Sequence, residues 1–184
     1  MLELKPVAHR GVTLIELMVT VAIIAIVATV AAPSLREYIV RRDIIRAATE
    51  LQNLIASGIT ESSSRRHLGA TNSSDTLLIV DTSRNVACLT TNNQTDCATG
   101  YLRIAPSKSC SACTVTATID GTNAANVRIT IDRRGLLNFG GGNDVALTIA
   151  NNSNYAITIT LNRLGVSRMC TPTGKQPLGE VPVC

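Results

Sequence analysis

Gly11-Val12-Thr13-Leu14-Ile15-Glu16-Leu17 opens an apolar run that continues to Leu35. Glu16 is the only ionisable side chain between Val12 and Leu35. As a helix, these 24 residues extend about 36 Å at ~1.5 Å per residue, enough for a hydrocarbon core of roughly 30 Å. Lys5, His9 and Arg10 precede the run. Basic residues there hold the N-terminus in the cytoplasm and direct the following chain outward. A secretory signal has a shorter apolar core and a small-residue cleavage site at its far end. Here Ala31-Ala32-Pro33 runs into more helical pattern, and the small residue open to cleavage is Gly11, on the cytoplasmic side.

A carboxylate deep in a bilayer costs about 2.5–3.5 kcal/mol on insertion scales, and less near the interface. Glu16 must stay protonated, snorkel to the interface, or meet a positive charge. Cleavage after Gly11 would give Val12 a free α-amino group about one helical turn from Glu16. The amine of a neighbouring subunit then neutralises the carboxylate inside an assembly. The alternative is an uncleaved signal anchor in which Glu16 snorkels.

Arg10-Gly11-Val12-Thr13-Leu14-Ile15-Glu16-Leu17 closely resembles the class III signal of type IV pilins and pseudopilins. The resemblance implies cleavage between Gly11 and Val12 by a prepilin peptidase and N-methylation of Val12. It makes Glu16 the fifth mature residue and gives it a role in filament assembly. Pro33 stands where many pilins carry a helix-bending proline. Val12 departs from the family, which usually has Phe there. The implied partners are other major and minor pilins, the prepilin peptidase, and inner-membrane lipid before assembly.

Composition agrees with an exported structural protein. Without residues 1–11 the chain keeps 15 basic and 12 acidic side chains, a net charge of +3. That excess is well short of a general nucleic-acid binder. Trp is absent and there is one Phe. Beyond the membrane segment about 150 residues remain, enough for one domain with a core.

Cys88, Cys97, Cys110, Cys113, Cys170 and Cys184 all lie in the exported part. An even count there points to disulfides in an oxidising periplasm. Six cysteines allow fifteen pairings, and sequence does not choose among them. Cys170–Cys184 would staple a Pro/Gly-rich tail, and Cys88–Cys97 would close a polar hairpin tip. Cys110-Ser-Ala-Cys113 has CxxC spacing, but no second CxxC accompanies it and His67 is the only histidine after residue 11. A structural disulfide fits better there than zinc or redox chemistry.

Beyond Pro33 the helical pattern continues to about Ser57. Leu35, Ile39, Ile44, Ala48, Leu51 and Ile55 share a face. Arg36, Glu37, Arg41, Arg42, Asp43, Arg46 and Glu50 occupy the others. Residues 58–75, Ser/Gly/Asn-rich with Arg65, Arg66 and His67, read as a loop, or as a short helix followed by a loop. From Thr76 the period changes to two and β-branched residues dominate. Candidate strands are 76–81, 86–91, 101–105, 114–119, 127–131, 136–139, 145–150, 155–161 and 166–170, separated by turns such as Asp120-Gly121, Arg134-Gly135 and Leu164-Gly165. Two hairpins echo each other: Ile129-Thr-Ile-Asp-Arg-Arg-Gly135 and Ile157-Thr-Ile-Thr-Leu-Asn-Arg-Leu-Gly165.

Nothing in the chain spells catalysis. Gly140–Gly142 has no Gly-Lys-Ser/Thr after it and reads as a mobile hairpin tip rather than a phosphate loop. Asp and Glu form no evident acid/base pair, and neither a cofactor nor a metal is expected. The domains are a leader at 1–11, a membrane half-helix at 12–35, an amphipathic half-helix at 36–57 and a periplasmic β-rich domain at 58–184.

The strand into Ile131-Asp132-Arg133-Arg134-Gly135-Leu136, the strand into Gly165-Val166-Ser167-Arg168-Met169-Cys170, and the tail ending at Cys184 are similar to the GspH/FimT family of minor pilins and pseudopilins. The tail is more like the pilus-type members, FimT and FimU. The implied fold is α+β and type IV pilin-like, a long N-terminal helix packed on an antiparallel β-sheet or β-sandwich. The implied function is a non-enzymatic minor pilin that primes assembly or caps the tip of a type IV pilus. It would reside in the bacterial inner membrane, with its domain in the periplasm, before reaching the cell-surface pilus. One alternative is a minor pseudopilin of a type II secretion system. Another is a DNA-binding minor pilin, since some FimT-like proteins bind double-stranded DNA through Gly-Arg-x-Arg. Here that pattern falls on Gly165-Val166-Ser167-Arg168, with Arg163 and Lys175 as further candidate contacts.

Overall fold

A computed structural model describes residues 12–65, 76–91, 97–98, 100, 102–110, 112–151 and 154–184. The long helix α1 spans Leu14–Arg65, and a one-turn helix α2 spans Pro106–Ser109. The strands are β1 (Thr76–Asp81), β2 (Val86–Thr91), β3 (Leu102–Ile104), β4 (Cys113–Ile119), β5 (Thr122–Ala124), β6 (Asn126–Ile131), β7 (Leu137–Asn138), β8 (Asp144–Asn151), β9 (Ala156–Asn162) and β10 (Ser167–Cys170). The chain divides into two units, with the boundary between Ile39 and Val40.

In the first unit the apolar side chains described from Val12 to Val27 are exposed. The hydroxyls of Thr20, Thr29 and Ser34 donate to the carbonyls of Leu17, Ile26 and Ala31 at 2.7–2.8 Å. Such internal bonds suit a helix without water around it. Among the described residues no single helix is long and apolar enough to cross a membrane. Leu14–Thr29 and Ser34–Ser64 pass that test only together, across a bend at 30–33. Pro33 lies at this break.

The second unit is an α+β domain. Its ten strands form two antiparallel sheets, ordered β3-β2-β1-β6-β7 and β10-β9-β8-β4-β5. Alternation sends one side of each strand into a common core. Leu78, Val80, Leu89, Val127, Ile129 and Ile131 come from the first sheet; Val115, Leu147, Ile149, Ile157, Ile159 and Leu161 come from the second. Ile44, Ala47, Ala48, Leu51, Leu54 and Ile55 of α1 join the same core. Each large side chain so buried contributes about 1.5–3 kcal/mol. β1 is buried along its whole length because its other face, Leu77 and Ile79, packs with Val86, Cys88 and Cys97.

Several features differ from the sequence expectation. The helix runs eight residues past Ser57. Gly58 is not a stop: a Cβ there would lie 2.8 Å from the Leu89 and Ile131 side chains, so glycine lets the helix pass close over the sheet. Beyond it Thr60, Ser62, Ser63 and Ser64 return their hydroxyls to carbonyls one turn back. The remainder of the expected loop, 66–75, lies outside the described residues. Strand β5 and helix α2 were not anticipated. Asp120 (φ 47°) and Gly121 (φ 81°) form a tight hairpin turn that pairs Ile119 with Thr122. Gly140 and Gly141 sit at the tip of a tight turn closed by an antiparallel bridge between Phe139 and Gly142, and the segment then carries the chain from β7 in one sheet to β8 in the other.

Three disulfides join Cys88–Cys97, Cys110–Cys113 and Cys170–Cys184, and no described cysteine is free. The tail returns along the end of β10: Thr171 N–H donates to Pro182 O at 2.7 Å and Cys184 N–H to Thr171 O at 2.9 Å. Leu178 plugs it into the core.

Candidate functional site

Two places carry the functional expectations, the start of α1 and the far hairpins. Thr13 caps the helix. Its Oγ1 accepts the Glu16 N–H at 3.3 Å, and its carbonyl accepts the Leu17 N–H at 3.2 Å. This is half of a capping box, which explains Thr at this spacing before Glu. Glu16 sits in the first turn, where the positive end of the helix dipole favours a carboxylate. Among the described residues no hydrogen bond or ion pair reaches that carboxylate. Val12, 71 % exposed, precedes the helix. Gly11 and the bond expected to be cut lie outside the described residues, as do Lys5, His9, Arg10 and His67.

At the second place, the echo between the two hairpins is an identity of geometry. Asp132 Oδ1 accepts from the N–H groups of Arg134 (2.7 Å) and Leu136 (2.9 Å). Asn162 Oδ1 accepts from those of Leu164 (3.1 Å) and Val166 (3.0 Å). Gly135 and Gly165, both at φ 77°, close the turns onto the carbonyls of Asp132 and Asn162. The turns also touch. Leu137 N–H donates to Arg163 O at 2.9 Å, and a Cβ on Gly165 would lie 3.2 Å from Gly135 O. Ile59 of α1 packs against both glycines.

The expected DNA contacts therefore do not form one set. Arg163 Nε and Nη2 donate to Gly142 O at 3.2 and 3.0 Å, so its guanidinium holds the crossover between sheets. Asp120 grips the same crossover through the N–H groups of Asn143 and Asp144 at 3.0 Å. Those backbone bonds, aided by the Arg163 charge, hold the Asp120 carboxyl below its ordinary pKa. Lys175 lies elsewhere. Gln176 N–H donates to Asn154 O at 2.9 Å, beside the start of β9, whereas Arg163 and Gly165 follow its end. The seven residues of β9 separate the two by about 20 Å at ~3.3 Å per residue. Arg168 is exposed on β10. The turn that touches the Arg163 turn carries Arg133 and Arg134. The signal for them was the hairpin echo, which matches the turns without saying that they are neighbours.

Residues 8–32 match the prokaryotic N-terminal methylation motif. Two curated fimbrial proteins of Pseudomonas aeruginosa are each 47% identical to the chain over 47 residues, covering 26% of this chain and 30% of theirs. The chain thus spans under a third of the length of the curated relatives it matches. No solved structure matches it at a significant level. The first segment matches a methylation motif, on an α+β chain whose helix packs against antiparallel sheets.

Proposed function

We propose that the chain is a structural, non-catalytic pilin subunit, cut between Gly11 and Val12, methylated at Val12 and packed into a type IV filament through its first helix. The observation that carries this reading is the methylation motif over 8–32 on a helical segment whose described apolar side chains are exposed and whose one carboxylate before Arg36, Glu16, has no described partner. In lipid the exposed side chains are solvated by acyl chains. In a filament the same side chains pack on neighbouring subunits. Glu16 then meets the α-amino group of another subunit's first residue, which removes the cost of an unpaired charge in an apolar setting. The bend at 30–33, where Pro33 lies, falls inside the apolar segment, ahead of the covered stretch that begins at Val40.

The finer assignment is a minor subunit of the GspH/FimT kind that primes or caps a pilus, supported by the paired C-terminal hairpins and the Cys170–Cys184 tail. The test is expression of Glu16→Ala and of wild type in a piliated host. Wild type should be recovered from sheared surface filaments with a methylated Val12 as its first residue by mass spectrometry. Glu16→Ala should enter the membrane normally and be depleted from filaments at least roughly ten-fold, as expected when a buried pair loses one partner. Equal incorporation of both chains, or a wild-type chain that retains Met1, overturns the proposal.

A further inference from the structure

The paired turns carry an apolar and cationic surface that packing through the first helix leaves unused. Among the described residues of the second unit, five large apolar side chains are exposed. Three of them lie here: Leu136 at 38 %, Val166 at 47 % and Leu164 at 73 %. Arg133 and Arg134 occupy the first turn, and Arg168 follows Val166 by two residues, all exposed. Asp132 is the acid of the two turns, and its Oδ1 is engaged by Arg134 N–H and Leu136 N–H. The backbone bonds that lock both turns present these side chains with little further ordering cost. An exposed aliphatic cluster on a soluble domain marks an interaction surface.

We infer that this end of the domain docks on an anionic lipid surface. Leu136, Leu164 and Val166 enter the headgroup layer, and Arg134 and Arg168 sit against its phosphates. An apolar cluster and a basic cluster on one surface reinforce each other at such an interface. Nucleic acid is the competing polyanion. Its backbone is bound by cations and hydrogen-bond donors, and its single strands by aromatic stacking. Residues 132–136 and 162–168 contain no aromatic ring, and three exposed aliphatic side chains gain nothing from a phosphate backbone. The combination favours lipid.

The full mature chain, held by its own helix in nanodiscs of phosphatidylcholine, is mixed with vesicles of phosphatidylcholine with or without phosphatidylglycerol, and co-flotation is measured. Binding should require phosphatidylglycerol. Arg134→Glu changes two charges and should weaken it roughly thirty-fold. Leu164→Asp should weaken it roughly ten-fold. Both side chains are exposed, so the thermal transition should not move. Lys175→Glu makes the same charge change at the other end of β9 and should have little effect. Glu16→Ala should bind as wild type, which separates this surface from filament assembly. Absence of binding, equal binding to both vesicle types, or an unaffected Leu164→Asp overturns the proposal. So does a Lys175→Glu loss equal to that of Arg134→Glu, which would mean net charge alone. Displacement by duplex DNA, together with unchanged DNA binding by Leu164→Asp, would assign the arginines to nucleic acid instead.

Discussion

Leu35 and Ile39 continue the same apolar stripe as Ile44, Ala48, Leu51 and Ile55, yet the first two are 58 % and 48 % exposed and the last four are buried. One periodicity thus runs through two stretches of α1, and among the described residues only the stretch after Val40 is covered. A stripe reports that a face needs covering. It does not report who covers it. After Val40 the cover is the two-sheet core, whereas before it the described apolar side chains are exposed. The largest predicted effect separates the two. Leu51→Ala should cost the domain about 2–5 kcal/mol by leaving a cavity. That lowers the thermal midpoint by about 2–4 °C per kcal/mol at this size. Ile24→Ala, at a position 66 % exposed, should leave that transition unchanged and reduce incorporation into filaments. A shared fall in the thermal midpoint would erase the distinction.

Within the covered stretch, Ile59 ties the helix to the paired turns, and glycine at Gly165 makes the approach possible. Gly165 and Gly174 have similar φ values, 77° and 82°, but a Cβ on Gly174 meets nothing. Both substitutions to Ala carry the strain of a left-handed backbone, about 1–2 kcal/mol. Gly165→Ala adds crowding against Gly135 O and Ile59, for a total of about 2–3 kcal/mol. Chemical denaturation of the two variants should therefore differ. Equal losses would mean that the helix does not lean on the turns.

What the chain's letters disclose follows from the range of each signal. Glu16 stands out because a charge in an apolar run is a local contrast. β1 and β2 span the residues expected, 76–81 and 86–91, because short runs rich in apolar and β-branched residues between turn residues mark strands locally. Alternation names faces, not partners, so the division into two sheets and the β7-to-β8 crossover stayed hidden. The run of helix past Ser57 was not legible because a glycine such as Gly58 is the same letter whether it ends a helix or lets one pass close to a sheet. The separation of Lys175 from Arg163 follows from the direction of β9 and the return of the tail, neither of which a motif contains. Arg133 and Arg134 were missed for the converse reason: two distant turns become neighbours only through sheet packing.

The smallest predicted effect contrasts two carboxylates. Glu16, in the uncovered stretch, has no described partner, whereas Asp81 is 92 % buried and supplied with partners by its own turn. The Ser83 hydroxyl donates to Asp81 Oδ1 at 2.6 Å, joined by the N–H groups of Ser83 at 3.0 Å and Arg84 at 3.1 Å. These bonds, the hydroxyl first, hold the Asp81 carboxyl below the ordinary value of 3.8 despite its burial. A depressed folded-state pKa gives stability that is present above the unfolded value and lost as pH falls through the folded one. Wild type should therefore be more stable than Asp81→Asn at neutral pH, and the gap should hold down to about 3.8 and close below it. Thermal scans of the two chains across that range measure it. A gap that does not change with pH would mean that Asp81 acts through its shape and neutral hydrogen bonds. The contrast with Glu16 would then lie in packing rather than in charge.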